Sequence, residues 1–290
     1  MNLPVPAHDS TEDWVKIVSH FARGSGLSAE DLRRILHALK NNEELRFFES
    51  ALRQWLLTQA HEVPFAALPL RPALPPLTLE ISAQPAQELV AAHDPFDPHS
   101  ERLRTLRTDL LLRQQHEACN VIAVVSPGRG EGRSRLAAEL AVTCAQTGEP
   151  TLLVDADLRH SRQHILFQAR NGDGLTTALV TGAADRPKGV MGLPALALLT
   201  AGPAPANPLE LLAGPGFAVE VAAWRQRFRH VVIDTPAISA VSDGLAVAMH
   251  GCAALVVSRV HHTRLADTRE LLRRLAATGA RVLGSVVNRF

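Results

Sequence analysis

Residues 121–134 read VIAVVSPGRGEGRS, an apolar run that turns through three alternate glycines into the helical stretch RLAAELAVTCAQ of residues 135–146. A short run of Val and Ile reads as a strand buried on both faces. Gly128, Gly130 and Gly132 let successive backbone N–H groups turn inward around an anion, and the start of the following helix adds a partial positive charge. The stretch therefore reads as a phosphate cradle at a strand-to-helix turn. Against the strict pattern Gly-x-x-x-x-Gly-Lys-Ser/Thr, Pro127 stands for the first glycine and Arg133 for the lysine, so that only Gly132 and Ser134 match. From the loop alone, a nucleotide site and a ligand-free glycine turn are both open.

Further apolar runs of the same kind follow: TLLVDAD (151–157), LALLTAG (196–202), HVVIDTP (230–236), CAALVVSRV (252–260) and RVLGSVVN (281–288). Between them lie helical stretches from Ser134 to Gln146, Leu209 to Arg227 and Arg264 to Thr278. This alternation predicts a three-layer α/β domain with a mostly parallel sheet, whose ligands bind beyond the carboxyl ends of the strands. Three acids stand at such ends. Asp155 and Asp157 are one residue apart and point to the same side, with Arg159 following, and Asp234 closes a later strand. Each could merely cap the next turn. Together, at the sheet edge that carries the glycine loop, they point to a Mg²⁺-nucleotide site.

The 290 residues are 46% hydrophobic and 20% charged, which excludes disordered and fibrous classes. A net charge of +1 supplies no field for nucleic acid. No nucleic-acid partner is expected, and the Arg264–Arg274 helix, interleaved with Asp267 and Glu270, reads as a solvated face. Cys119, Cys144 and Cys252 lack metal spacing, and His160, His164, His261 and His262 repeat no metal motif. With no signal-like N-terminus and no long apolar run, the expected location is the cytoplasm. Amphipathic spacing in residues 14–60 predicts a small helical domain over residues 1–63. The prolines between Pro64 and Pro98 predict a linker over 64–99, with the α/β domain over 100–290.

The strings SPGRGEGRS, LLVDADLR, TAGPAPANPLELL and VVIDTP resemble the bacterial tyrosine kinases of polysaccharide export. These share the P-loop NTPase fold of the cell-division and partition ATPases. The likeness is greatest to the branch associated with chain-length determinants, where an Arg at the P-loop Lys position is expected. The resemblance implies ATP and Mg²⁺ as cofactors. ATP would be held by Gly128, Arg129, Gly130, Glu131, Gly132, Arg133, Ser134 and Arg135, with Asn288 beside the adenine. The metal would be served by Ser134, Asp157 and Asp234. Asp155, Asp157 and Arg133 would act on the transferred phosphoryl, Asp155 nearest to it. The helix bearing Glu101, Arg104 and Arg107 reproduces the family's Glu-x-x-Arg-x-x-Arg pattern and implies self-association, although residues three apart also make ordinary surface ion pairs.

The resemblance further implies a membrane-bound polysaccharide chain-length determinant protein as partner, which would recruit the chain to the inner face of the membrane. Family members that phosphorylate themselves use a tyrosine-rich tail, and this sequence holds no tyrosine. Two readings follow. In one the chain transfers phosphoryl to tyrosine on another protein. In the other it is a nucleotide-gated scaffold with little or no transfer, because the guanidinium of Arg133 is wider than the lysine ammonium it replaces.

Overall fold

Three parallel strands form the middle of the structure: β2 (Val121–Val125), β3 (Thr151–Asp155) and β6 (His230–Asp234), with β6 hydrogen-bonded to both others. A computed structural model describes residues 74–114, 120–238, 242–251 and 253–289, which lie in one compact unit, Ala73–Phe290. The helical domain expected over residues 1–63 lies outside the described residues, as do Cys119 and Cys252.

All fifteen residues of these three strands are buried except His230, which is half-buried. The period-two alternation of a strand sends them to opposite sides. Ile122, Val124, Leu153 and Val232 join one core layer, whereas Val121, Ala123, Val125, Leu152, Val154, Val231 and Ile233 join the other. Helix α3 (Arg133–Ala145) fills the first layer with Leu136, Leu140 and a run of alanines that let it approach the sheet closely. Helix α2 (Pro98–Gln114) adds Leu103 and Leu110 there. The second layer is covered by α6 (Pro208–Ala213), α7 (Pro215–Arg227), α8 (Asp243–His250) and α9 (Leu265–Ala276), through Leu212, Phe217, Trp224, Val247 and Leu271. Phe217 and Trp224 meet edge to face, with centroids 5.8 Å apart. The Trp224 indole N–H is satisfied by Asp185 at 2.9 Å, as burial of that ring requires.

Among the described residues the sheet has eight strands, in the order β1 (Ile81–Ala83), β4 (Lys188–Val190), β5 (Leu193–Leu199), β3, β6, β2, β7 (Ala253–Arg259), β8 (Arg281–Asn288). Every neighbouring pair is parallel except β4 with β5. This is the mostly parallel α/β architecture of P-loop NTPases.

Three local features differ from the sequence reading. Strand β4 was not anticipated; it folds back on β5 through Met191-Gly192, where Gly192 has φ +76°, a value glycine adopts without a side-chain clash. The single helix expected from Leu209 to Arg227 is two, α6 and α7, because Pro215 lacks an N–H and the extended Gly214 closes one and opens the other. Within the stretch expected as linker, β1 (Ile81–Ala83) pairs with β4, and α1 (Val90–His93) packs Ala91 into the first core layer. Prolines here delimit short elements without preventing them. Two further short helices, α4 (Gln163–Leu166) and α5 (Leu175–Thr181), follow β3.

Candidate functional site

The loop from Ser126 to Gly132 leaves the carboxyl end of β2 and enters α3. Gly130 (φ +74°) and Gly132 (φ +84°) take left-handed backbone values that L side chains adopt only at a cost, which accounts for glycine at both. Hydrogen bonds hold the loop both from within and from its surroundings. The Glu131 carboxylate accepts from the Gly128 N–H at 3.0 Å and from the Thr263 hydroxyl at 2.5 Å. The side-chain amide of Asn288, at the end of β8, donates to the Glu131 carbonyl at 2.7 Å. His262 bonds the Arg129 carbonyl at 2.9 Å, and Arg259 reaches the Gly130 carbonyl at 3.2 Å.

The acids arrive from adjacent strands. Asp155 and Asp234 are paired in register at the ends of β3 and β6. Asp155 is fully buried, and its oxygens accept from the backbone N–H groups of Asp157 (3.2 Å), Arg162 (3.0 Å) and Gln163 (2.9 Å). Burial, then the charge of Asp234, pushes its carboxyl well above the ordinary carboxylate range. Asp157 accepts from the His160 N–H at 2.9 Å through one oxygen and from Arg133 at 3.1 Å through the other. Asp234 is also raised, by burial, with Arg133, Gln163 and Ser134 acting in the opposite direction.

Arg133, the first residue of α3, is buried together with these acids. Its Nε donates to Asp234 Oδ1 at 3.1 Å, one Nη to Asp157 Oδ2 at 3.1 Å and the other to Ser126 Oγ at 2.9 Å. The guanidinium thus lies between the two carboxylates expected to serve a metal.

A cavity of about 510 Å³ opens in front of the loop, within the range of small-molecule sites. Arg129, Gly130, Glu131, Gly132, Arg133, Ser134, Arg135 and Asp157 line it, with Glu88, His160, Arg162 and Leu166. Gly128, Asp155, Asp234 and Asn288 are not among the lining residues. Arg135 pairs at 3.5 Å with Glu139, which also takes a 2.7 Å bond from His99. On α2, Glu101 and Arg104 pair with each other at 3.1 Å, whereas Arg107 turns inward and donates to the Thr143 carbonyl of α3 at 2.7 Å.

Two residues escaped the sequence reading. Gln163 is fully buried and donates to Asp234 Oδ2 (2.8 Å) and to the Ser134 carbonyl (2.9 Å). Asp243, at the start of α8, takes a two-pronged ion pair from Arg159 at 2.7 and 3.3 Å, joining the segment after β3 to the segment after β6. Neither lies at a motif spacing, so no signal in the sequence singled them out.

The donor set suits a cation: a positive guanidinium is already held by carboxylate oxygens of Asp157 and Asp234, beside the Ser134 that enters the cavity wall. Among the described residues no helix is long and apolar enough to cross a membrane.

A glycine loop between the first core strand and a buried helix, with acids at the ends of neighbouring parallel strands, defines a P-loop NTPase domain. No family model matches the chain. The chain is 31% identical to the tyrosine-protein kinase YwqD of Bacillus subtilis over 203 residues, covering 70% of this chain and 86% of that one. It is 32% identical to the tyrosine-protein kinase wzc of Salmonella typhimurium over 206 residues, but spans only 28% of wzc, and only 27% of the kinase ptk of Acinetobacter johnsonii. Among solved structures, the VpsO kinase domain matches with a TM-score of 0.60 at 32% identity, covering 70% of this chain and 96% of that one. The chimerical protein CapA2B2 matches with a TM-score of 0.64 at 29% identity, covering 73% and 95%. A likeness in fold alone extends to the septum site-determining protein MinD of Pyrococcus horikoshii complexed with Mg-ADP (TM-score 0.52, 22% identity, covering 59% and 71%). The chain belongs to the family of bacterial tyrosine-protein kinases.

Proposed function

We propose that the chain binds ATP with Mg²⁺ in the cavity before the glycine loop and acts as a protein-tyrosine kinase of exopolysaccharide synthesis and export. The observation that carries this reading is the convergence of Gly130–Ser134 and Asp157 on one cavity, with Asp234 bonded to the Arg133 that lines it. Backbone N–H groups of the loop and the start of α3 would hold the phosphates. The Ser134 hydroxyl, Asp157 and Asp234 would hold the ion, which neutralises phosphate charge as the γ-phosphoryl departs. Asn288, anchored on the loop, would border the adenine. Arg129 and Arg135 line the cavity as further phosphate contacts.

Asp157 lines the cavity and is better placed than Asp155, two residues before it at the end of β3, to orient an incoming hydroxyl. Asp155 holds the segment that carries it, its oxygens being engaged by three backbone N–H groups. No tyrosine occurs among these 290 residues, so the acceptor hydroxyl would lie outside them. Its oxygen would bond to the γ-phosphorus as the bond to the β-phosphate bridge breaks, ADP leaves, and the hydroxyl proton passes to a neighbouring carboxylate. A membrane-bound chain-length determinant is the partner that would bring the chain from the cytoplasm to the membrane. Self-association would use the exposed Glu101 and the half-buried Arg104 beside it.

One observation favours the second reading, a scaffold gated by nucleotide with little transfer: Arg133 is engaged by Asp157, Asp234 and Ser126 rather than extended into the cavity. Calorimetric titration with ATP, ADP and a non-hydrolysable analogue, with and without Mg²⁺, tests the common premise. Binding that weakens in Ser134→Ala and Asp234→Ala supports it, and labelled ATP with a tyrosine-bearing partner then separates kinase from scaffold. Absence of binding in every condition removes both readings.

A further inference from the structure

Arg133 occupies an electrostatically unusual place. It opens α3, where the helix dipole disfavours a cation, yet its guanidinium is buried and bonded to Asp157, Asp234 and Ser126. The carboxylates provide the counter-charge. Their side chains are 6% and 0% exposed, so water offers them little alternative. A hard divalent ion seeks the same oxygen ligands, and two cations cannot share them without repulsion. Phosphate is a different competitor, because it offers the guanidinium a bidentate partner of its own, and Arg133 already lies on the cavity wall where phosphates would arrive.

We propose that Arg133 is an internal cation that bars Asp157 and Asp234 from a free divalent ion, so that the ion reaches them only with a nucleotide whose phosphates draw the guanidinium away. This rests on the reading of the cavity as a nucleotide site. It makes the arginine at the P-loop lysine position a latch on the empty site, and it sets an order: bare ion is excluded and the ion–nucleotide complex is admitted. The exchange breaks the two ion pairs of Arg133 and replaces them with guanidinium–phosphate and ion–carboxylate contacts, so that no buried charge is left without a partner.

The test is Mn²⁺ binding to the full chain, followed by loss of the free-ion electron paramagnetic resonance signal. Without nucleotide, Arg133→Gln is expected to bind Mn²⁺ at least about tenfold more tightly than the wild type, a coupling of ordinary size for two linked sites. Addition of ADP is expected to tighten Mn²⁺ binding to the wild type and to change the variant much less. The wild-type comparison with and without ADP, with the Mn²⁺ held by free ADP subtracted, needs no substitution, and so can overturn the proposal even where the variant fails to fold. Equal Mn²⁺ affinity of the wild type with and without bound ADP, or no gain in a folded Arg133→Gln, overturns the proposal. ADP calorimetry on the same samples tells two failures apart. ADP that binds neither protein removes the nucleotide reading, whereas ADP that binds without altering ion affinity removes only the latch.

Discussion

Asp155 and Asp234 face each other in register across β3 and β6, each the last residue of its strand. Both acids are fully buried, and the charge of Asp234 disfavours ionisation of Asp155. For Asp155, whose folded-state pKa lies well above its ordinary value, the proton is bound more tightly in the folded chain. Its contribution to stability is complete below about pH 4 and is lost as pH rises through the raised folded value. Thermal melts of the wild type and Asp155→Asn across this window are expected to show the wild type losing stability relative to the variant as pH increases. Parallel pH profiles would contradict the assignment.

Gln163 joins Asp234 to the Ser134 carbonyl from a fully buried position. Replacing it with Leu removes both donors and leaves a buried carbonyl and a carboxylate oxygen short of a partner, at a cost of about 1–3 kcal/mol. Gln163→Glu is expected to be worse, since it adds a fourth buried acid beside Asp155, Asp157 and Asp234. Denaturant unfolding of the two variants checks both the size and the order.

Glu131 pins the glycine loop from within by accepting from the Gly128 N–H and the Thr263 hydroxyl. In Glu131→Ala the Gly128 amide loses its acceptor, and hydrogen exchange at that amide is expected to accelerate about tenfold or more, the equivalent of a bond worth roughly 1.4 kcal/mol. Unchanged exchange would mean that the loop is held by its other ties, through Asn288, His262 and Arg259.

The arginines of α2 are expected to separate. Arg107→Ala breaks the bond to the Thr143 carbonyl that ties α2 to α3, with a stability loss of about 1–2 kcal/mol. Arg104→Ala removes a surface ion pair with Glu101 and is expected to stay within about 0.5 kcal/mol of the wild type. Should Arg104 serve self-association, sedimentation velocity will show a smaller assembly for that variant with its melting curve unmoved.

Cys144 lies in the first core layer, and burial pushes its thiol up to about 12. Because the thiolate is the reactive form, peptide mapping after iodoacetamide treatment is expected to find Cys144 unmodified in the native chain and modified in denaturant. Native labelling would show that α3 opens readily.

Strand and helix alternation, the glycine loop and the acids at strand ends were legible in the sequence because each is a local pattern: a continuous apolar run buried on both faces, alternate glycines at a turn, a carboxylate closing an apolar run. Helices α3 and α9 fall within a residue or two of their expected ends for the same reason. Strands β1 and β4 were not legible, since three-residue strands carry no period of their own and exist through their neighbours.

What the sequence by itself determined is the inventory: three acids, an arginine in place of a lysine, and a loop able to wrap an anion. Tertiary structure alone decided how these are shared out. It engaged Asp155 with backbone N–H groups, brought Gln163 to Asp234 across 71 residues, and set the Arg133 guanidinium between Asp157 and Asp234. The physical reason is burial: with water excluded, every charge at the sheet edge must find a partner within the protein, and only the packed strands determine which partners are within reach.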